Sequence, residues 1–184
     1  MGTYSKLDQP LVVVDYDSHW PALFESERVR LTFLLGDRSV DIQHIGSTSI
    51  PGLAAKPVID IAIGFQDLQT AESCIHLLES AGYTYEPNLE AALPDRRFLW
   101  RVDPKGQRYH LHLAGIHNRL WSDPLAFRDY VRRHPEAASE YRKLKAMLAV
   151  ECGSDVGAYI AGKAGFIEKI LRWANAEAAS AHHY

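Results

Sequence analysis

The stretch Val58-Ile59-Asp60-Ile61-Ala62-Ile63-Gly64 constrains this chain more than any other. It is apolar and largely β-branched on both alternations, so it predicts a strand buried on both faces at the centre of a sheet. Asp60 interrupts it. A carboxylate in so apolar a strand costs about several kcal/mol unless hydrogen bonds, a cation or a metal ion compensates it. A neighbouring loop or an arginine satisfies such an acid in many folds, but an acid beside an anion-binding loop points to function.

The residues leading into this strand supply that loop. Residues 39–45 alternate and read as a strand. The segment from His44 continues Ile45-Gly46-Ser47-Thr48-Ser49-Ile50-Pro51-Gly52-Leu53-Ala54-Ala55-Lys56-Pro57. Gly46 lacks a Cβ, so backbone N–H groups there approach a ligand closely, while Ser47, Thr48 and Ser49 add hydroxyls and Lys56 an ammonium. N–H groups, hydroxyls and a cation together make a phosphate cradle. A tight turn that needs small residues has the same composition.

The remaining pattern arranges itself around this pair. Residues 11–14 read as a short strand or extended lead-in. Asp17 or Ser18 caps a helix with Pro21 in its first turn, and its apolar spacing runs to Gly36. Asp67 caps a helix from 68 to about 81, ended by Gly82. A short strand at Tyr83-Thr84-Tyr85-Glu86-Pro87 follows. Residues 97–102 and 107–113 flank Asp103-Pro104-Lys105-Gly106 and predict a hairpin. Asp123-Pro124 reads as a cap and first helical position for a helix to about His134. A second helix covers 135–151, and Ser154 caps a third that ends near Ala176, leaving 177–184 as a frayed tail. The order predicts one α+β domain of 184 residues without repeats. A mixed β-sheet packed with helices occupies 11–117, and C-terminal helices follow over 118–176.

Charge divides along the same line. Residues 1–117 carry ten basic and fifteen acidic side chains, and 118–184 carry ten basic and eight acidic, so the helical third is the place to meet an anion. The sum of −3 and a pI near 6.3 argue against non-specific nucleic-acid binding, and no recognition motif is present. No apolar run approaches the roughly 18 residues of a membrane span, and the opening Met1–Pro10 lacks the apolar core of a signal peptide. Cys74 and Cys152 lie far apart in helical patterns and read as reduced core thiols, so the expected compartment is cytoplasmic.

Two further groups carry chemistry. In Arg108-Tyr109-His110-Leu111-His112-Leu113 the imidazoles of His110 and His112 share one strand face, roughly 7 Å apart. With Asp60 they form a candidate metal-ligating and catalytic set; two inert histidines on a partly exposed face are the alternative. On the helices, Arg128 and Arg132, Tyr141 and Lys145, and Tyr159 and Lys163 each recur at i,i+4. Matched cations on three helices line one side of an anion cleft, or are ordinary surface charge with Asp129 pairing an arginine. The candidate anion-binding set is His44, Gly46, Ser47, Thr48, Lys56, Arg97, Arg128, Arg132, Tyr141, Lys145, Tyr159 and Lys163. His182 and His183 receive no role.

The blocks HIGSTSIPGLAAKPVIDI, YHLHL, LAFRDYVRRHPE, YRKLK and YIAGKAGFI, with the opening VVVDYDSHWPALFESE, resemble the GrpB family in order and spacing. The resemblance covers about residues 11–172. It implies the nucleotidyltransferase superfamily and its polymerase-β-like fold, in which a Gly-Ser follows the first sheet strand and acids on the next bind two Mg²⁺ ions. Gly46-Ser47 and Asp60 match that pattern. Ala62 stands where a second acid is expected, His110 and His112 where a third acid would lie, and Gln43 where the family usually has Glu. Losing an acid weakens the claim on Mg²⁺, and imidazoles favour Zn, Mn, Fe or Ni.

The resemblance and the residues together imply a nucleoside triphosphate such as ATP as substrate, a divalent metal (Mg or Mn, with Zn possible from the histidines), and a small-molecule acceptor. The expected reaction is nucleotidyl transfer, or activation of a carboxylate by adenylylation. A nucleotide-binding module that has lost transfer chemistry is the alternative that Ala62 favours.

Overall fold

The computed structural model describes residues 12–181. Five strands, β1 (Ser39–Ile45), β2 (Val58–Phe65), β3 (Thr84–Tyr85), β4 (Arg96–Val102) and β5 (Arg108–Gly115), form one sheet in the order β1-β2-β5-β4-β3. β2 runs parallel to β5, and every other pair is antiparallel. The helices are α1 (Trp20–Leu35), α2 (Leu68–Ser73), α3 (Ile75–Ser80), α4 (Arg119–Arg133), α5 (Pro135–Cys152) and α6 (Val156–Ala181). This is the α+β architecture that the sequence pattern implies. None of these helices is long and apolar enough to cross a membrane.

β2 lies inside the sheet, as its unbroken apolar run requires. One face of the sheet presents Ile59, Ile61, Ile63, Leu99, Leu111 and Leu113, all fully buried against Trp20, Leu31 and Leu35 of α1 and Ala71 and Leu78 of α2 and α3. Burying each of the larger side chains stabilises the fold by about 1.5–3 kcal/mol. The opposite face receives α4 at the far end of β2. A Cβ on Gly64 would lie 2.8 Å from Ile116 and 3.1 Å from Trp121, so only glycine lets that helix seat on the strand. A second core joins Ile50 and Leu53 of the 46–57 loop to Phe127, Tyr141, Phe166 and Ile170. The loop is thereby pinned between the sheet and the helical layer.

Five helix boundaries differ from the sequence pattern. The cap position of α1 is His19, not Asp17 or Ser18; Asp17 Oδ1 accepts from His19 N at 2.8 Å just before it. α4 begins at Arg119, because the Asn118 carboxamide oxygen accepts from Leu120 N at 2.8 Å and caps it there; Pro124 lies inside the helix. The stretch after Asp67 divides at Cys74, where the backbone tightens and Cys74 N bonds Ala71 O three residues back. α6 is capped by Asp155, whose Oδ1 accepts from Ala158 N at 2.9 Å, instead of by Ser154. It also continues to Ala181, so the frayed tail expected from 177 is helical. Glu177 pairs with His134 at 2.8 Å and Arg133 at 3.4 Å, which ties that turn to the α4–α5 corner. Of the lead-in at 11–14, Val14 bridges Ala55, and Leu11 lies outside the described residues.

Candidate phosphate-binding site

The pairing register puts Asp60 directly beside His110, and Ala62 beside His112. Period-two alternation therefore gathers Asp60, His110 and His112 on the face away from α1, with Arg96, Phe98 and Trp100 of β4 next to them. Asp60 Oδ1 lies 3.3 Å from His110 Nδ1 and 3.2 Å from His112 Nε2. The other ring nitrogen of His112, Nδ1, lies 3.0 Å from Arg96 Nη1. A guanidinium only donates, so Nδ1 is the acceptor, and the ring proton sits on Nε2 and points at Asp60. Burial pushes the His112 pKa down, and Arg96 adds to that against the pull of Asp60, which leaves a neutral ring. Burial works to raise the Asp60 pKa, yet the hydrogen bonds from both imidazoles outweigh it and hold the carboxyl well below the usual range.

This arrangement bears on the metal-ligating role expected of Asp60, His110 and His112. With its proton on Nε2, His112 offers Asp60 a donor, and a cation there would have to displace that proton. Ala62 supplies no second carboxylate. Among the described residues no cluster of three His, Cys, Asp or Glu side chains is placed to hold a metal. On this face, His110 Nε2 and Trp100 Nε1 are buried without a hydrogen-bond partner among the described residues.

The loop and the C-terminal helices close around the same carboxylate. Gly46 has φ +70°, and a Cβ there would lie 2.6 Å from Asp60 Oδ2, so both backbone and space demand glycine. Ser47 is hydrogen-bonded to Tyr141, whose hydroxyl burial pushes up to about 12. Lys145 is 1% exposed; its ammonium donates to Ala54 O and lies 4.8 Å from the Tyr141 ring centroid. Burial, with Lys163 and Arg142 adding, pushes its pKa down to about 7. Lys163 Nζ stands 4.4 Å over the ring of Tyr159. Burial lowers its pKa, Asp60 opposes that, and Lys56 reinforces it. Gly46 abuts Asp60, Tyr141 and Lys163 feel its charge, Ser47 bonds Tyr141, and Lys56, Lys145 and Tyr159 lie next to Lys163.

The other candidates lie elsewhere or brace the loop. His44 is on the opposite sheet face, stacked on Phe24 at 4.8 Å, and burial pushes its pKa down to about 4. Its Nε2 meets the Thr48 hydroxyl at 3.0 Å, and that hydroxyl donates to Val58 O at 2.9 Å. Arg97 also points to the α1 side, where it pairs with Glu72 at 2.5 Å. Its neighbour Arg96 is the one that reaches the site, and sequence reading passed it over; β4 alternation could have separated the two. Arg128 donates to Gln43 Oε1 at 2.8 Å and His44 O at 2.9 Å and pairs with Asp129 at 2.7 Å. Arg132 donates to Ser49 O at 2.6 Å. Arg128 thus ties α4 to the end of β1, and Arg132 holds the loop that follows it.

Comparison with known proteins places this geometry in context. A family model described as GrpB protein matches residues 10–172. The UPF0157 protein YqkA of Bacillus subtilis (strain 168) is 34% identical over 165 residues, which cover 88% of this chain and 47% of that protein. This chain therefore spans about half the length of that relative. The glutamate-rich protein GrpB of Alkalihalophilus pseudofirmus is 30% identical, with 88% of this chain and 94% of that protein covered. The crystal structure of the conserved protein GrpB from Enterococcus faecalis superposes with a TM-score of 0.78 at 34% identity, covering 89% of this chain and 96% of the other.

Proposed function

The chain belongs to the GrpB family, a membership that supports a nucleotidyltransferase-like protein, and from that premise we propose that it binds a nucleoside triphosphate beside Asp60 and transfers its nucleotidyl group to a small acceptor. The observation that carries this reading is the convergence of Gly46-Ser47 with Lys145 and Lys163, two buried or half-buried cations with no carboxylate within 4 Å among the described residues. Buried ammonium groups with no acid in contact are unfavourable until an anion arrives. A triphosphate is such an anion, and Ser47, Tyr141 and Tyr159 add hydroxyls for its oxygens.

Transfer of this kind asks little covalent chemistry of the protein; positioning and charge do most of the work. The acceptor oxygen forms a bond to the α-phosphorus, the bond from that phosphorus to the α,β-bridging oxygen breaks, and pyrophosphate leaves. Lys145 and Lys163 neutralise the charge that builds on it. The acceptor's proton passes to the Asp60–His110 pair, and His112, locked by Arg96, keeps the carboxylate aimed. A binding-only module is the second reading. Ala62 favours it, as does the engagement of both imidazoles with Asp60.

One experiment separates the readings. ATP, GTP, CTP and UTP, as magnesium salts, are titrated calorimetrically into the protein and into Lys163→Ala. Pyrophosphate release is then followed with hydroxyl, amine and carboxylate acceptors. Saturable binding that weakens at least tenfold in Lys163→Ala supports the cradle. Release with one acceptor class identifies transfer, and carboxylate dependence identifies adenylylation. Tight binding with no release from any acceptor favours the binding module, and indifference to every nucleotide overturns both.

A further inference from the structure

A second concave site lies on the helical layer, where the tip of the 46–57 loop meets the α4–α5 corner. Its volume is about 520 Å³, within the range of small-molecule pockets. Ile50 and Val131, each 1% exposed, and Ala138 give it an apolar floor. Arg132, Arg142 and Ser139 supply its polar groups. No residue of the Asp60 cradle lines it.

The two guanidiniums are already held in place. Arg132 donates through Nε and Nη2 to Ser49 O at 3.0 and 2.6 Å, and Arg142 through Nη2 to Gly52 O at 2.6 Å. A guanidinium has five N–H donors, so each retains donors for a ligand. The acid closest to Arg132, Asp129, stands 3.9 Å from Nη1 and is already engaged by Arg128 at 2.7 Å. The cleft therefore combines an apolar floor with fixed, under-compensated positive charge, and pre-organised groups lose little entropy on binding. We propose that this cleft is a separate binding site for a small organic anion, a carboxylate or a phosphate monoester, with an apolar body. The head group takes N–H donors from Arg132 and Arg142, and the body rests on Ile50, Val131 and Ala138. This site stands independently of the nucleotide reading.

The test titrates hexanoate, hexyl phosphate, hexanol and hexylamine into ¹⁵N-labelled protein and follows the amides of Ile50, Val131 and Ala138. The two acids are expected to shift these amides saturably, at least tenfold more tightly than the alcohol or the amine. Tighter binding of either acid names the head group and supports the site. Arg142→Met, at an exposed position, is expected to weaken the acids at least tenfold. Ala138→Phe, which fills the cleft, abolishes their binding and leaves ATP titrations as in the parent protein. Equal binding of acid, alcohol and amine overturns the proposal, as does acid binding unchanged in Arg142→Met.

Discussion

On the side of the sheet that faces α1, the buried carboxylate of Glu27 collects Arg101 at 2.5 Å, Arg30 at 2.9 Å and the hydroxyl of Tyr83. On the opposite side, the buried ammonium of Lys145 has a single carbonyl partner, Ala54 O, and its charged neighbours Lys163 and Arg142 carry the same sign. Both groups are almost fully removed from water, at 3% and 1% exposure. The buried charge of the first set meets opposite charge and hydrogen bonds on every side, and it joins α1 to β4. The second has no carboxylate within 4 Å of either ammonium among the described residues. A fold gains little from a buried ammonium without an acid beside it, so the contrast is what the proposed anion site rests on, while the Glu27 cluster reads as architecture.

Removing one partner from the compensated set should produce the largest effect. Glu27→Leu leaves Arg101 and Arg30 partly buried without their acid, and breaking a buried pair in this way is expected to destabilise by about 3–5 kcal/mol in urea titrations. ATP affinity of the folded fraction should be unchanged. Burial works to raise the Glu27 pKa, but Arg101, Tyr83 and Arg30 together keep it below the ordinary value. The cluster's contribution is therefore present above about pH 4.5 and is lost as pH falls through the folded-state pKa. A loss under about 1 kcal/mol would show that the two faces do not differ in kind.

The uncompensated set should respond in the opposite sense. The Lys145 pKa is about 7 in the folded chain, and an unfolded lysine titrates near 10.4. Between those values the unfolded chain holds the extra proton, so this residue makes stability rise with pH across that interval. Below about pH 7 the charged form costs the fold a few kcal/mol. Lys145→Met should abolish this slope and be at least as stable as the parent at pH 6, while ATP binding weakens at least tenfold. Binding by the parent at pH 8 should take up a proton, because the arriving phosphates raise the lysine pKa. Calorimetry in buffers of different ionisation enthalpy measures that uptake. No uptake, together with unchanged affinity in Lys145→Met, would remove Lys145 from the proposed cradle.

What was legible in the sequence follows from the range of the interactions involved. β2, the hairpin and the loop after His44 are written in local alternation, glycine and proline, and the structure has them. The convergence of Lys145 and Lys163 was readable only as i,i+4 spacing with their tyrosines; the folding of α5 and α6 over the loop depends on Ile50 and Leu53 reaching Phe127 and Phe166, contacts far apart in the chain. His44 looked like part of the cradle because it adjoins Gly46. Strand alternation turns it to the other face, where Phe24 covers it. Arg97 was misplaced for the same reason, by one residue. The helical turn at 177–181 was hidden because its anchors, Arg133 and His134, lie more than forty positions earlier.

Arg96 offers the finest test of the contrast, because it brings positive charge to the imidazoles themselves. Its Nη1 at 3.0 Å from His112 Nδ1 keeps the proton on Nε2 and turns that nitrogen from a ligand into a donor. Arg96→Met removes one hydrogen bond, worth about 1 kcal/mol, so stability should change little. The chemistry should change more. With the neighbouring positive charge gone the His112 pKa should rise, and its ring is free to place the proton on Nδ1 and offer Nε2 beside Asp60. ¹⁵N shifts of the ring are expected to show the Nε2–H tautomer in the parent protein and a mixture in the variant. The variant should also bind Zn²⁺ more tightly than the parent, since an imidazole lone pair and a carboxylate then face one point. A parent ring already protonated on Nδ1 would mean that Arg96 does not set the tautomer. The imidazoles would then be available to a cation, which would favour the metal-ligating role of Asp60, His110 and His112.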